Sequence, residues 1–309
     1  MPHTILKKVS IITVNFNHSH VTDELLDSIA AKNTYSNIEV IVVDNGSTIN
    51  PVPAWQIKYP DVTFIRSEIN TGFAGGNNMG IKVATGDFFF LVNNDTEFTE
   101  GLIDKLVATL EANPFVAMVS PKIHYYDVPN MLQYVGYTEM NYFTARNRQV
   151  GQFETDNGQY NHLTGKTGFA HGAAMMITRE AIDKVGLMAE NFFLYYEELD
   201  WCARLQKAGY DIWVNTDALI YHKESISVGK QSALKEYFMN RNRLLFERRN
   251  ASASQFFVFS IYFIGLVMPR NIISYIKHQQ YGFIKWLLKA IWWNMTNNVN
   301  SNKLGYPLK

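Results

Sequence analysis

A single cysteine, Cys202, stands in 309 residues. That excludes a disulfide framework and any multi-cysteine zinc or iron–sulfur site, and it agrees with a reducing compartment. Net charge is lacking too. The 28 Lys and Arg balance 28 Asp and Glu, so the whole chain lacks the electrostatics of a nucleic-acid binder and no nucleic-acid partner is expected. No apolar run reaches the ~18–20 residues of a simple bilayer span; the longest, Ser254 to Met268, has 15. The opening MPHTILKKVSIITVNFN passes too soon into Asn and His to read as a secretion signal. Fixed-period repeats and low-complexity tracts are absent. No Walker lysine follows the one glycine-rich stretch, which counts against a nucleotide triphosphatase.

Apolar residues are plentiful at 47%, with 14% aromatic, enough to build a sizeable core and to exclude disorder as the main state. Charge is unevenly distributed. Residues 1–240 carry 18 basic against 27 acidic side chains, whereas residues 241–309 carry 10 basic side chains against Glu247 alone. Such a split suggests two tasks. The acidic part suits metal or carboxylate chemistry, and the basic, aromatic tail suits an anionic surface.

Apolar runs at Val9–Val14, where they are also β-branched, Ile38–Val43, Val62–Ile65 and Phe88–Val92 read as strands, the first two buried on both faces. Helical spacing of Leu25, Leu26 and Ile29, with Thr22 as a candidate cap, fills the first interval. A glycine-rich turn, Asn70 to Asn78, leads into a helix through Ala84. Alternating strands and helices with short loops predict an α/β fold with a mainly parallel sheet. Ligands in such sheets bind beyond the carboxyl ends of the strands. Here those ends are polar: Asn15 and Asn17, Asp44 and Asn45, Asn70, and Asn93-Asn94-Asp95. Turn chemistry alone favours Asn, Asp and Gly, but four polar ends at one edge point to a site. Residues 125–167, rich in Tyr, Asn and Gln, read as strands and loops over the sheet edge, either contacting an acceptor or forming a surface insertion.

The segment FFLYYEELDWCARLQKAGYDIW crowds Glu197, Glu198 and Asp200 into the first turn of a helix predicted over about 198–208, closed by Gly209. The helix dipole favours acids there. Asp200 and Arg204, at i,i+4, form a structural pair, which leaves Glu198 free to act as a base among desolvating aromatics. Asp95 at a strand end is a candidate ligand for a divalent cation, and His222 ends a further strand-like run. Cys202, on the apolar stripe of its helix, reads as core.

In order, VSIITVNFN, VIVVDNGST, NTGFAGGNNMGI, GDFFFLVNND, the long segment from Gly172 to Trp213 and ALIYH resemble the inverting family 2 glycosyltransferases of GT-A fold, in particular the rhamnosyltransferase and galactofuranosyltransferase branch of bacterial surface-polysaccharide synthesis. The resemblance spans about residues 9–222, with a looser match through YFMNRNRLLF. It implies a GT-A, Rossmann-like catalytic domain over 1–240, with a nucleotide-sugar half to about 120 and an acceptor and catalytic half beyond. A helical, membrane-associating or oligomerising tail then occupies 241–309.

The resemblance also assigns residues. Thr13, Asn15, Asn17, Asp44, Asn45 and Ser47 would surround the nucleotide, and Asn70, Gly72, Phe73, Gly75, Gly76 and Asn77 would lie near nucleotide and sugar. Asn93-Asn94-Asp95 takes the position of the DXD motif with its first Asp replaced by Asn. Asp95 and His222 would then hold Mn²⁺ or Mg²⁺, and Glu198, or its neighbour Glu197, would be the base. The implied partners are a dTDP- or UDP-sugar donor and a glycan or lipid-linked glycan acceptor, at the cytoplasmic face of a membrane. A nonenzymatic nucleotide- or glycan-binding relative is the alternative. A glycoside hydrolase would also use two carboxylates, but the polar strand ends disfavour it.

Overall fold

The computed structural model describes residues 6–223 and 232–308. The first half alternates as expected: β1 (Val9–Asn15), α1 (Ser19–Lys32), β2 (Ile38–Asn45), α2 (Val52–Lys58), β3 (Thr63–Ser67), α3 (Gly72–Val83), β4 (Phe88–Val92), β5 (Thr96–Phe98) and α4 (Leu102–Ala112). Then come β6 (Val116–Tyr125), β7 (Leu132–Tyr134), β8 (Gly165–Lys166), β9 (Ala174–Thr178), α5 (Arg179–Val185), α6 (Glu197–Lys207) and β10 (Asp211–His222). The main sheet path runs β3-β2-β1-β4-β9-β6-β10-β5. Strands β3, β2, β1, β4, β6 and β10 share one direction, while β9 and β5 oppose it.

Period-two alternation divides the core between the two sheet faces. Val40, Val42, Phe88 and Phe90 meet Leu25, Ile29, Trp55 and Leu106 on one face. Ile41, Val43, Phe89 and Leu91 meet Ala74, Ile81, Trp201 and Cys202 on the other. Cys202 is fully buried, as its apolar stripe requires. Strand order reverses between β1 and β4, with β2 on one side of β1 and β4 on the other. That switch point opens a crevice at the carboxyl edge.

Two expectations change. Thr22 does not cap α1, which begins at Ser19; it sits one turn inside, fully buried. The glycine-rich stretch is not an extended turn but the start of α3 itself. Its glycines serve packing: a Cβ at Gly76 would lie 2.7 Å from Val14 Cγ1, so its absence lets the helix lie against β1.

The proposed boundary at 240/241 falls within one helix, α7 (Ala233–Asn250). Tyr237, Arg241, Asn242, Leu245 and Phe246 are buried there, so no linker separates tail from catalytic unit. Beyond α7, α8 (Ala253–Tyr262), a π-helical segment Phe263–Val267 and α9 (Met268–Lys277) form one continuous helix of 25 residues. The apolar run that ends at Met268 therefore belongs to a helix long enough to cross a membrane. The helix passes Pro269 next to the π-helical segment, where the backbone ladder is already widened and tolerates the missing N–H. Finally α10 (Tyr281–Thr296) packs back on α7 and the chain returns toward the sheet edge.

Candidate active site

The carboxyl edge carries a cleft of about 820 Å³, lined at its polar end by Asn45, Asn70, Asn77, Asn93, Asn94 and Asp95. Its apolar end is built from Phe193, Leu194, Trp286, Tyr306 and Leu308. Of the nucleotide-side residues, Asn45 is the organiser. Its Nδ2 donates to Asn70 Oδ1 (3.2 Å) and Gly72 O (3.0 Å), and its Oδ1 accepts from Thr71 N (3.0 Å). Gly72 has φ +75°, and a Cβ there would lie 2.1 Å from Phe193 O, so only glycine fits this corner.

Asn15, Asp44 and Ser47 lie one layer deeper. Register pairs Asn15 with Asp44 across β1 and β2. Asn15 Nδ2 donates to Asp44 Oδ1 (2.8 Å) and Ser47 Oγ (3.1 Å), and Arg66 of β3 closes an ion pair on the other Asp44 oxygen. Asp44 is fully buried among these partners and does not line the cleft. Arg66, opposite it by register, is a residue that sequence reasoning missed. Asn17 Oδ1 accepts from Thr48 N (2.8 Å), shaping the loop after β1. Thr13 is enclosed within β1, and its neighbours Val14 and Phe16 reach the cleft instead. Gly75 and Gly76 are buried on α3. The amide of Phe73 is already given to Phe193 O (2.8 Å).

Asp95 and His222 are brought together by antiparallel pairing of β5 with β10, in which His222 sits opposite Thr96. His222 Nε2 lies 3.1 Å from Asp95 Oδ1, and its Nδ1 lies 2.8 Å from Gln133 Oε1 on β7. An amide oxygen only accepts, so Nδ1 carries hydrogen and Nε2 faces the carboxylate. That approach is held either by a second ring proton or by a shared cation. A ligating imidazole held by an acceptor on its far nitrogen is the usual arrangement around a metal. Among the described residues no group of three or more His, Cys, Asp and Glu gathers. The donor set fits a cation completed by substrate oxygens and water. Burial opposes the charge on Asp95, but the hydrogen bond and charge of His222 outweigh it and hold the carboxyl below its usual range.

The two glutamates begin α6. Glu197 is buried, with Oε2 unpaired among the described residues. Burial, then the charge of Glu198, pushes its carboxyl well above the ordinary range. Glu198 is only half-buried and lies over Gly172, where a Cβ would be 3.8 Å from its carboxyl carbon; burial raises it too. Gly172 adjoins Ala173, whose carbonyl accepts from Asn93 N (2.9 Å), so Glu198 borders the end of β4. His171, also missed in the sequence, stacks on Tyr137 and meets the edge of His222 at 6.3 Å. Burial, then the charge of His222, lowers His171 to about 3. Asp200 takes no part in the cleft: fully buried, it binds Arg204 Nε (3.0 Å) and Arg249 Nε (2.9 Å), as the structural reading of that residue requires.

The sequence model of glycosyl transferase family 2 matches residues 10–186, more than half of the chain. The chain belongs to that family. This glycosyltransferase is 28% identical over 287 residues to the low-salt glycan biosynthesis hexosyltransferase Agl10 of Haloferax volcanii, covering 88% of the chain and 87% of the relative. It is 22% identical over 244 residues to an N-acetylglucosaminyl-diphospho-decaprenol L-rhamnosyltransferase of Mycobacterium tuberculosis, covering 72% and 78%. Among solved structures it superposes on the mannosyltransferase PcManGT of Pyrobaculum calidifontis, in complex with GDP-Man and Mn²⁺, with a TM-score of 0.57 at 14% identity over 95% and 88% of the two chains. Residues 1–349 of S. aureus TarS give 0.58 at 14% identity over 94% and 81%. The architecture is the GT-A fold.

Proposed function

We propose that this glycosyltransferase is a metal-dependent, inverting enzyme that moves a sugar from a nucleotide-sugar donor to a glycan acceptor. The Asp95–His222 pair, with an imidazole nitrogen 3.1 Å from a carboxylate oxygen on the wall of the cleft, carries the proposal. A divalent cation there, Mn²⁺ or Mg²⁺, would neutralise the diphosphate leaving group. Asn45, Asn70, Asn93 and Asn94 offer donors and acceptors for the nucleotide and sugar. Glu198 accepts the proton of the acceptor hydroxyl as that oxygen bonds to the anomeric carbon and the carbon–phosphate oxygen bond breaks, in a single displacement that inverts the centre. Glu197 lies deeper, with Oε2 unpaired among the described residues, and leaves the ionised role to its more exposed neighbour, a division that paired carboxylates commonly adopt. Similarity to a relative named as an L-rhamnosyltransferase supports rhamnose as the sugar. A mass-spectrometric screen of dTDP- and UDP-sugars with a glycan acceptor, with Mn²⁺, with Mg²⁺ and with EDTA, tests the reading. Transfer by the metal-loaded protein is expected. Full transfer in EDTA, or nucleotide binding without turnover of any donor, would overturn it.

The acceptor we propose is lipid-linked, and the tail would meet the cytoplasmic face of a membrane. In α8 and α9 one face packs through Phe259, Phe263 and Tyr275, while Phe257, Ile261, Ile264 and Ile273 stay exposed. On α10, Leu288 and Trp292 are exposed beside Lys285 and Lys289. Aromatic residues with adjacent lysines favour an anionic headgroup boundary. The charge available is smaller than composition suggested, because Arg241 is fully buried and Arg248 and Arg249 bind Asn294 and Asp200. Flotation with vesicles containing phosphatidylglycerol is the test. Binding that weakens with salt is expected. Absence of binding at low salt, or a dimer in light scattering that covers the face, would defeat it.

A further inference from the structure

Immediately before α6 the backbone is strained. Phe193, Tyr195 and Tyr196 have φ of 67°, 71° and 75°. Three non-glycine residues in the left-handed region within four positions persist only where surroundings over-determine them. The carbonyls of this loop are also turned inward, where each requires a donor.

The donors come from two adjacent side chains of α7. Asn242 Nδ2 lies within hydrogen-bond distance of Phe192 O (2.9 Å), Leu194 O (2.8 Å) and Tyr195 O (2.8 Å), which share its two N–H groups. Its Oδ1 accepts from Arg241 Nε (2.8 Å), which fixes the orientation of the amide. Arg241 Nη2 reaches Asn191 O and Phe192 O, and Nη1 donates to Leu304 O (2.9 Å). The guanidinium is held between the rings of Phe238 (4.9 Å) and Trp293 (4.7 Å). From the other side, Phe193 O accepts from Phe73 N at the start of α3.

We infer that Asn242, oriented by Arg241, is a positioning residue: it clamps residues 192–195 in their left-handed turn and thereby sets where the first turn of α6 presents Glu198. Tyr196, at φ 75°, precedes the helix, and Glu198 is its second residue. Relaxation of the turn moves the carboxylate relative to the end of β4, while Asn45, Asn70 and Asp95, held by other elements, stay where they are. The inference rests on the proposed role of Glu198 as base.

The test compares Asn242→Ala and the near-isosteric Asn242→Asp, which keeps the volume but offers no N–H to the carbonyls when ionised, with Glu198→Gln. Chymotrypsin cleavage within residues 192–196 reads the clamp. Calorimetric binding of UDP and dTDP with Mn²⁺ reads the donor side. kcat, KM and the pH profile of transfer read the base. The expected result is faster cleavage in at least one folded Asn242 variant. Its kcat should fall on the order of 10–100-fold, the scale of an ångström-sized misplacement, with nucleotide affinity within about twofold and an altered acid limb. Unchanged cleavage in both variants overturns the clamp. Faster cleavage with wild-type kcat and pH profile overturns positioning. Full activity of Glu198→Gln instead removes the base assignment, while the cleavage result still decides the clamp.

Discussion

Asp200→Ala measures how firmly α7 is joined to the catalytic unit. The carboxylate is fully buried; Oδ2 accepts from Arg204, and Oδ1 accepts from Arg249 Nε and from Asn250 Nδ2 (2.9 Å). Removing one partner of a buried ion pair costs about 3–5 kcal/mol. Arg204 keeps two carbonyl acceptors, Val185 O and Leu187 O, and Arg249 keeps Asn300 Oδ1. Both guanidinium side chains also retain some solvent contact, at 23% and 18%. The loss should therefore lie near the lower end, about 3 kcal/mol, or a fall in Tm on the order of 6 °C or more. Arg249→Ala should cost less, because Asp200 keeps Arg204 and Asn250. A double-mutant cycle in urea should give a coupling of about 1–2 kcal/mol between Asp200 and Arg249. Additive single losses, or a change below about 0.5 kcal/mol for Asp200→Ala, would refute the argument that α6 and α7 form one unit.

Asp95→Ala and His222→Ala should each abolish or severely reduce metal-stimulated transfer while circular dichroism stays native; wild-type rates from either in EDTA would refute the metal pair. Glu198→Gln should lower kcat by about 10²-fold or more with nucleotide affinity retained, whereas a dead Glu197→Gln beside an active Glu198→Gln would reverse their roles. Because burial raises Glu198, kcat/KM should fall as pH drops through a midpoint above the ordinary glutamate range; a midpoint at or below that range would contradict the desolvated site. Glu39 has its carboxyl lowered to about 2: burial opposes this, but bonds from Ser10, Thr85 and Lys8 prevail. Its stabilisation, discounted for partial exposure to on the order of 1–2 kcal/mol, is present above pH ~4.5 and lost as pH falls toward 2. Glu39→Gln should flatten the urea midpoint over that window, and an unchanged slope would refute the assignment.

The parallel strands were legible because burial on both faces demands continuous apolar runs, and Phe88–Val92 agrees residue for residue with β4. The polar strand ends were legible for the same topological reason. Asp95 and His222 are 127 positions apart, and no local pattern joins them; only the resemblance did so before β5 and β10 were seen to pair. Gln133 and His171 left no comparable signal, because only their contacts with His222 in the folded chain mark them. The glycines from Gly72 onward read as a turn yet begin a helix, because a helix that must lie close to a strand needs small residues there, as Gly76 against Val14 shows.

Charge counting misread the tail for a related reason. Composition assigns each arginine one positive charge facing outward, yet Arg241 is a hydrogen-bonding core residue and Arg249 the partner of a buried aspartate. What looks like an appendage is a brace. Phe193 O touches the first turn of α3 at one end of the cleft, and the loop that carries it is held by α7 at the other. The start of α3 and the loop before α6 therefore share a backbone hydrogen bond. A truncation before Ala233 consequently takes away the donors to the carbonyls of residues 191, 192, 194 and 195, and with them the support of the turn that leads into α6.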